Sequence, residues 1–383
     1  MKSSSQAVFR KWSLGVLLVI MSVVVPVALI NCIVDSYGIL RSDFTKQFQE
    51  PNNNFIKIKF LLKNKDRYDS FLFGSSRVNG IDVEKIRSQR FYNMQYSEGV
   101  PKEHLDNIRF LLRSGVEMRT VLIGLDDFSY RVDPRNHLSD LMRQPHPDVS
   151  GKSWITFYGE YFLKIKRIAP SVKAYVLLNF MGVRDEFGKI IVHDILDSGR
   201  ILCGNCDDEV ERDPEKHRQD PKFTFPFHYD GDNIAGTLDS IRELVRLSRE
   251  YAFRLVFFIN PIHQTTYRDT DMELMLRFKK ELAQITEFYD FSGLNTITTD
   301  NYYYHETSHY REKVGDMMLS RMFGQPDVDT PADFGILVSR KNIERHLAMM
   351  RRQLSGTPGN ATRQTSGKRG KLPVSHLVAR TGA

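Results

Sequence analysis

The sequence contains few cysteines, and their spacing excludes a zinc ribbon. Cys203 and Cys206 form a single CGNC pair, whereas a ribbon needs a second pair of ligands. A thioredoxin-like redox site would open a helix directly after a strand, but acidic residues follow CGNC and predict a loop. The pair can close a small disulfide in an oxidising compartment, so we expect a structural or incidental role for it.

The sequence also lacks metal-ligand spacing, and it lacks a basic surface outside its tail. Its histidines have no second ligand at a useful interval, which predicts neither a metal nor another cofactor. The formal net charge is +7, yet the tail from Arg351 onward holds seven Lys or Arg residues and no acid. The rest of the chain is therefore close to neutral, and we expect no nucleic-acid partner. The tail is polar and basic, which predicts disorder.

One long apolar run, from about Leu14 to Val34, carries no charge. About 20 apolar residues suffice to span a bilayer, and Pro26 is tolerated in a membrane helix. The basic residues in front of the run orient that end toward the cytoplasm. A cleaved signal peptide is the alternative, but it has a shorter apolar region and a small-x-small cleavage site, which we do not find. We expect an uncleaved single-pass anchor in a bacterial inner membrane, with the main domain outside the cytoplasm, in the periplasm of a Gram-negative source.

Apolar runs alternate with amphipathic segments along the rest of the chain, which indicates parallel βαβ units. Buried strands are predicted at 71–73, 91–94, 120–125, 254–259 and 288–291. Helices are predicted at 82–88, 102–114, 155–168, 234–251, 271–286, 312–322 and 340–354.

These patterns divide the chain into four parts. They are a basic start with the anchor (1–34), a membrane-proximal linker and lead-in (35–67), an α/β domain (68–325), and a C-terminal helix with the basic tail (326–383). The stretch 184–232 is charged, contains several prolines and lacks periodicity, so we interpret it as an excursion from the domain. A lid or a partner surface would suit such an excursion, and its length indicates some structure of its own.

The strand at 71–73 ends on Gly74-Ser75-Ser76-Arg77. Open α/β folds place ligand sites at the carboxyl ends of their strands, so this turn presents a hydroxyl where chemistry is expected. The glycine lets the chain turn, and the helix start that follows offers N–H groups to a developing anion. The alternative is a strand that merely ends in a serine-rich turn.

A partner for Ser76 lies near the other end of the chain, where His309 follows Glu306 by three residues. A serine becomes a nucleophile beside a base, and the base needs a carboxylate that fixes its tautomer. One short loop can supply both groups. The alternative is a histidine that caps or packs at a helix start, and His305 and His263 are competing candidates for the base.

The Gly-Ser-Ser turn and the Glu-x-x-His loop resemble the first and last blocks of the SGNH, or GDSL-like, hydrolases and acyltransferases. That resemblance implies a three-layer α/β/α fold with a mostly parallel sheet. It implies Ser76 as the nucleophile, His309 as the base and Glu306 as the orienting carboxylate, in place of the family's aspartate.

The remaining blocks of the family carry the oxyanion donors, and here the sequence departs from the pattern. The third block would match 124–127, where Asp126 replaces the donor asparagine; an ionised carboxylate would repel an oxyanion. Gly99 matches the glycine of the second block, and Asn93 is a nearby possible donor. Arg77 would meet an anionic substrate group or, as an arginine beside a turn more often does, form a structural salt bridge.

The anchor, the outward domain and the stretch SHY after Glu306 are similar to membrane-anchored SGNH-like proteins of bacterial envelope systems, such as those of D-alanyl transfer and alginate acetylation. That likeness implies a serine esterase or acyltransferase acting on acyl groups of a cell-surface polysaccharide or related envelope polymer. It also implies membrane lipid and a membrane-bound O-acyltransferase as partners. The alternative is a catalytically silent member that binds or assembles an envelope complex.

Overall fold

The computed structural model describes residues 2–40, 51–138, 140–164, 168–176, 194–195, 197–202, 206–325 and 327–355. Within these ranges the chain forms an α/β domain preceded by one apolar helix. The basic tail from residue 356, for which disorder is predicted, lies outside the described residues.

The first helix, α1, runs from Lys2 to Val34. Its stretch Gln6–Val34 is long and apolar enough to cross a membrane, and none of its most apolar window is buried against the protein. Asp35, directly after the helix, adopts a left-handed conformation with φ of 42°. The Asp35 carboxylate accepts the N–H groups of Ile39 and Leu40 at 3.0 and 3.1 Å, so the chain turns sharply where the apolar run ends. The expectation of one N-terminal helix of membrane-spanning length is confirmed.

Six strands form the main sheet, in the order β2-β1-β3-β6-β7-β8. The strands of this sheet are β1 (Ser70–Phe73), β2 (Phe91–Asn93), β3 (Thr120–Leu125), β6 (Arg254–Ile259), β7 (Phe288–Asp290) and β8 (Ile336–Val338), while β4 (Asp194–Ile195) and β5 (Ile201–Leu202) form a separate hairpin. All neighbours in the main sheet are parallel except β7 and β8. The mostly parallel α/β sheet predicted from the alternating pattern is therefore confirmed.

The helices after α1 connect and cover these strands. They are α2 (Asn53–Lys63), α3 (Pro101–Arg113), α4 (Pro147–Ser150), α5 (Trp154–Phe162), α6 (Ile168–Val176), α7 (Cys206–Arg212), α8 (Pro214–Arg218), α9 (Ile234–Glu250), α10 (Gln264–Asp269), α11 (Met272–Ile285), α12 (Glu312–Phe323) and α13 (Ile343–Ser355).

Successive residues of the central strands point into two different apolar clusters. Phe71 and Phe73 of β1 pack in a cluster with side chains of α3, α9, α11 and α13. Leu72, between them, packs in a second cluster with side chains of α12. Because both faces are buried, the strands are continuously apolar, as the sequence pattern indicates.

The parallel register brings the ends of three strands to one edge of the sheet. Phe73 of β1 pairs with Ile123 of β3, and Leu125 of β3 pairs with Ile259 of β6. The turns that follow these strands therefore start side by side, and the candidate site is built from them.

Two predicted helices differ from the structure, and one strand was not predicted. The single helix expected at 155–168 is wrong, because α5 ends at Phe162 and α6 begins at Ile168; Pro170 fits the first turn of a helix but not the interior of a longer one. The helix expected at 82–88 is only a 3₁₀ turn at Val83–Lys85. Strand β8 was not anticipated; it pairs antiparallel with β7.

The stretch 184–232 contains regular structure where it is described. It forms the β4–β5 hairpin, α7, α8 and a 3₁₀ turn at Pro221–Thr224. The loop expected directly after CGNC is therefore wrong, because α7 begins at Cys206. Cys206 is disulfide-bonded, whereas Cys203 lies outside the described residues. Cys32 is free.

Gly315 lets α12 pack directly against the turn that follows β1. A Cβ atom at Gly315 would lie 2.0 Å from the backbone oxygen of Gly80. We expect Gly315→Ala to force the helix away from this turn and to lower the free energy of unfolding by about 1–3 kcal/mol. Thermal and urea unfolding of the full chain in detergent would measure the loss.

Gly159→Ala is the matched control for this prediction. Gly159 also lies within a helix, but a Cβ atom there would have nothing within 4 Å. Replacing it should stabilise the protein by roughly 0.5–1 kcal/mol, because alanine loses less conformational freedom on folding. Equal effects of the two substitutions would contradict the close packing of α12.

Candidate active site

The turn after β1 presents Ser76 at the edge of the sheet. Gly74 permits the turn, because a Cβ atom there would lie 2.7 Å from Val78 Cγ1. The Ser75 hydroxyl caps the following 3₁₀ helix, Ser76–Gly80, by accepting the Arg77 N–H at 3.2 Å. Ser76 is consequently the first helical residue, and it remains partly exposed.

Ser76, His309 and Glu306 form one hydrogen-bonded chain. Ser76 Oγ lies 2.8 Å from His309 Nε2, and His309 Nδ1 is hydrogen-bonded to Glu306 Oε1. With Nδ1 donating to the carboxylate, Nε2 is free to accept the serine proton. This is the arrangement that activates a serine nucleophile, and it joins residues 233 positions apart in the sequence.

The Glu306 carboxylate is fixed by the backbone of its own loop. Its oxygens accept the N–H groups of Ser308 at 2.7 Å and His309 at 2.9 Å. Burial alone would raise the pKa of Glu306, but His309, the Ser308 N–H and the Arg77 charge outweigh burial and lower that pKa below its usual value. Glu306 therefore stays ionised behind the imidazole ring.

The lowered pKa of Glu306 predicts a pH-dependent contribution to stability. A carboxyl whose pKa is depressed by folding stabilises the protein above its unfolded pKa, about 4.3, and loses that contribution as the pH falls through the folded value. We expect the stability difference between wild type and Glu306→Gln to be largest above pH ~5 and to shrink toward pH ~3. Urea unfolding of both proteins across this range would measure it. A difference independent of pH would contradict the assigned interaction.

The loop that carries Glu306 and His309 is held at both ends. Tyr304 and Tyr310 pair as an isolated β-bridge, and the His305 N–H donates to the His309 carbonyl at 2.9 Å. Thr307 Oγ1 donates to the Phe225 carbonyl at 2.5 Å. These hydrogen bonds fix the loop at several points and thereby position His309.

The described part of the 184–232 stretch contacts the loop of Glu306 and His309 and the residue that follows it. His217 of α8 lies with Nε2 2.8 Å from the Tyr304 carbonyl oxygen. Asp207 and Glu211 of α7 form ion pairs with Arg311, at 2.5 and 2.6 Å, immediately before α12. The excursion therefore contributes to the support of the loop that carries Glu306 and His309.

Arg77 ties three segments of the site together from a buried position. Its Nη1 donates to Asp126 Oδ1 at 2.9 Å and to Asp127 Oδ1 at 2.8 Å. Its Nε donates to the carbonyl and the hydroxyl of Ser308, both at 3.1 Å. Burial opposes the charge, but the two aspartates raise the pKa of Arg77 well above its ordinary value. Since its side chain is only 2% exposed, Arg77 takes the structural role and not contact with an anionic substrate.

Asp126 lies in the same network and does not stand as an isolated charge. Besides Arg77, its carboxylate accepts hydrogen bonds from Ser75 Oγ at 2.7 Å and from Asn260 Nδ2 at 3.0 Å. Its side chain is fully buried. The Arg77 guanidinium therefore offsets the repulsion that an ionised Asp126 would exert on an oxyanion. The Asp126 carboxylate itself has no proton to donate to an oxyanion.

Gly99 and Asn93 lie beside the turn, and each donates a hydrogen bond within the protein. A Cβ atom at Gly99 would lie 2.9 Å from the Gly74 carbonyl oxygen, and the Gly99 N–H donates to Tyr96 O at 3.3 Å. Asn93 donates one of its two side-chain N–H groups to Val78 O at 3.2 Å.

The backbone N–H of Ser76 is a further possible donor at this turn. It stands at the first position of the 3₁₀ helix, where no preceding turn supplies an acceptor. No hydrogen bond from it occurs among the residues that the structure describes. Of the donors considered from the sequence, this one is best placed for a developing negative charge.

Neither competing histidine is hydrogen-bonded to Ser76 among the residues that the structure describes. His263 Nε2 lies 2.8 Å from Asn301 Oδ1, and burial lowers the His263 pKa. Burial also lowers the pKa of His305 to about 4. Of these three histidines, only His309 is hydrogen-bonded to the Ser76 hydroxyl in the described part of the chain.

Sequence reasoning missed the polar residues behind the nucleophile. Asp127, Ser308 and Asn260 complete the Arg77–Asp126 network, and Tyr310 donates to Asn260 Oδ1 at 2.9 Å. The position of Asn260 in the sequence could have indicated its place in the network, because Asn260 directly follows β6 just as Asp126 directly follows β3. Across the described ranges, no group of three or more His, Cys, Asp or Glu side chains is arranged to hold a metal ion.

Comparisons with protein-family models and with curated proteins return no match for this chain. The functional argument therefore depends on the geometry of the site.

Proposed function

We propose that this protein is a membrane-anchored serine esterase or acyltransferase. The observation that carries the proposal is the hydrogen-bonded chain from Ser76 Oγ through His309 to the ionised Glu306. The three groups have the order and spacing of a nucleophile, a base and an orienting carboxylate. Both Ser76 and His309 are accessible, since the His309 side chain is 38% exposed.

The geometry supports a two-step acyl transfer. Ser76 Oγ attacks the acyl carbonyl while His309 Nε2 takes the hydroxyl proton, and Glu306 stabilises the resulting imidazolium. Collapse of the tetrahedral intermediate breaks the ester bond, and His309 returns the proton to the leaving alcohol. Water or an acceptor hydroxyl then attacks the acyl-serine and loses its proton to His309. The bond between the acyl carbon and Ser76 Oγ breaks, and His309 returns that proton to Ser76 Oγ. The Ser76 N–H would stabilise the oxyanion in both steps.

The motif resemblance extends this proposal to a fold family and a location. The sheet order and the buried faces are compatible with a three-layer SGNH-like arrangement. An anchor at α1 would hold the domain on the outer face of a bacterial inner membrane, in the periplasm of a Gram-negative cell. The substrate would be an acyl group of an envelope polysaccharide or related polymer, and a membrane-bound O-acyltransferase would be the partner.

A catalytically silent binding protein is the second candidate, because the usual oxyanion donors are not in place. Asp126 occupies the position of a donor asparagine, and the Gly99 N–H is bonded to Tyr96. Such a protein would use the same edge of the sheet to bind an acylated polymer or an assembly partner.

Release of p-nitrophenol from short-chain acyl esters by the purified full-length protein separates the two candidates. The assay should be run with and without a soluble polysaccharide acceptor, because transfer accelerates turnover only when the acceptor is present. Turnover under either condition supports the enzyme. A folded protein that turns over no ester under either condition supports the binding protein.

A further inference from the structure

One stripe of α5 carries a ladder of stacked aromatic rings, of which Trp154 is exposed while Tyr158 and Phe162 are half-buried. The ring centroids of Trp154 and Tyr158 lie 5.6 Å apart, and those of Tyr158 and Phe162 lie 5.6 Å apart with planes only 5° from parallel. The spacing of four residues places all three on one stripe of the helix. Next to this aromatic ladder, Ile155 is 88% exposed and Leu163 is 52% exposed.

The aromatic ladder lies beside the end of the apolar helix. Asn31, in the last turn of α1, donates its side-chain N–H to the Phe162 carbonyl at 2.7 Å. Helix α1 also contacts both α5 and α6. The half-buried Tyr158 and Phe162, with the exposed Trp154 and Ile155, therefore lie near the point where the chain leaves the membrane, if Gln6–Val34 spans it.

The adjacent stripe of α5, which carries Phe157 and Tyr161, is fixed to the domain. Tyr161 Oη donates to the Leu141 carbonyl at 2.6 Å and accepts a hydrogen bond from Asn52 Nδ2 at 2.6 Å. Phe157 is fully buried against Phe55, with ring centroids 4.8 Å apart. A contact made by the aromatic ladder would consequently set the orientation of the whole α/β domain.

The composition of this surface fits one partner, the lipid bilayer. Tryptophan and tyrosine rings favour the membrane–water interface, where an apolar body and a polar tip are both solvated. Lys164 is exposed beside the ladder, where it can meet anionic headgroups. The acidic residue of the helix, Glu160, is already paired with Lys152 at 2.9 Å.

We propose that the aromatic ladder of α5, together with Ile155, is a second membrane contact of this chain. It lies in the headgroup region of the leaflet from which α1 emerges. The contact holds the domain at a fixed tilt over the bilayer, so the edge of the sheet that carries Ser76 has one orientation toward the membrane. This inference does not depend on the proposed chemistry.

The protein has two tryptophans, which makes the contact directly measurable. In the full-length Trp12→Phe variant, reconstituted in phosphatidylcholine–phosphatidylglycerol vesicles, Trp154 is the sole tryptophan emitter. We expect nitroxide-labelled lipids with the label at the headgroup or upper acyl chain to quench about half or more of its emission. The proposal would be overturned if aqueous acrylamide quenched the Trp154 emission and the labelled lipids did not. The aromatic ladder would then face water or a protein partner.

Two further variants serve as controls. Trp154→Phe leaves Trp12, which lies within α1 and should be quenched by lipid labels whenever the helix is inserted. In the Trp12→Phe background, Ile155→Asp should reduce lipid quenching of Trp154, whereas Leu337→Asp, at an exposed position on β8, should not. Unchanged quenching in Ile155→Asp would mean that the position of α1 alone brings Trp154 near lipid, and the docking proposal would fail.

Discussion

Ser76→Ala is expected to lower ester turnover by about 10³-fold or more, because loss of a triad nucleophile removes most of the rate enhancement. Ser76 Oγ is the atom bonded to His309 Nε2, and the alanine leaves the rest of the site in place. Steady-state kinetics with a p-nitrophenyl ester would measure the change. The loss should appear in kcat and not in KM, because Ser76 Oγ forms its bond to the acyl carbon during the reaction and not during substrate binding.

Ser75→Ala is the matched control, since it removes a neighbouring hydroxyl of the same turn. Ser75 Oγ donates to Asp126 and does not contact His309. We expect this variant to keep most of its turnover, with some loss of stability from the missing hydrogen bond. Loss of activity in Ser75→Ala with retention in Ser76→Ala would contradict the assignment of the nucleophile.

Arg77→Met is expected to give the largest loss of stability, about 3–5 kcal/mol, because it leaves two buried carboxylates without their counter-ion. Asp126 and Asp127 are both almost fully inaccessible to solvent. The substitution also removes the hydrogen bonds to Ser308 that hold the loop of His309. Urea unfolding of the full chain in detergent would measure the loss.

Lys85→Met provides the comparison at an exposed site. Lys85 pairs with Glu312 and Asp316 at 3.0 and 2.7 Å, but its side chain is 39% exposed. Solvent screens such pairs, so we expect a loss of about 1 kcal/mol or less. If Arg77→Met were as mild as Lys85→Met, the buried network would not be the structural centre of this site.

The strands of the core and the helices that follow them could be predicted because their pattern is local. Continuous apolar runs mark β3 and β6, whose bounds the sequence predicts to the residue. Strand β8 could not be predicted in this way, because it is three residues long and lies partly exposed at the edge of the sheet. Only its pairing with β7 makes it a strand.

The grouping of Ser76, His309 and Glu306 could be predicted because each residue lies in a short motif with a chemical reason for its order. A structural salt bridge of Arg77 was one of the two roles expected from the sequence, but its partners Asp126 and Asp127 were not predicted, because no motif links them to Arg77. A sequence shows that a carboxylate stands where an amide is expected. It does not show that a guanidinium from the neighbouring turn neutralises it.

The support given by α7 and α8 was equally hidden. These helices are five to seven residues long, and their residues are largely charged, so they produce no periodic signal. They support the loop of Glu306 and His309 through single contacts, such as the hydrogen bond between His217 and the Tyr304 carbonyl. Contacts of this kind become visible only once the chain is folded.

Covalent labelling of the purified full-length protein with a fluorophosphonate probe is the most direct test of the central claim, an activated serine at residue 76. The account predicts one label per chain, located on Ser76 by peptide mass spectrometry. The label should be absent in Ser76→Ala and strongly reduced in His309→Ala, which removes the base. A folded protein that remains unlabelled, or that is labelled at another residue, would contradict the proposed catalytic site.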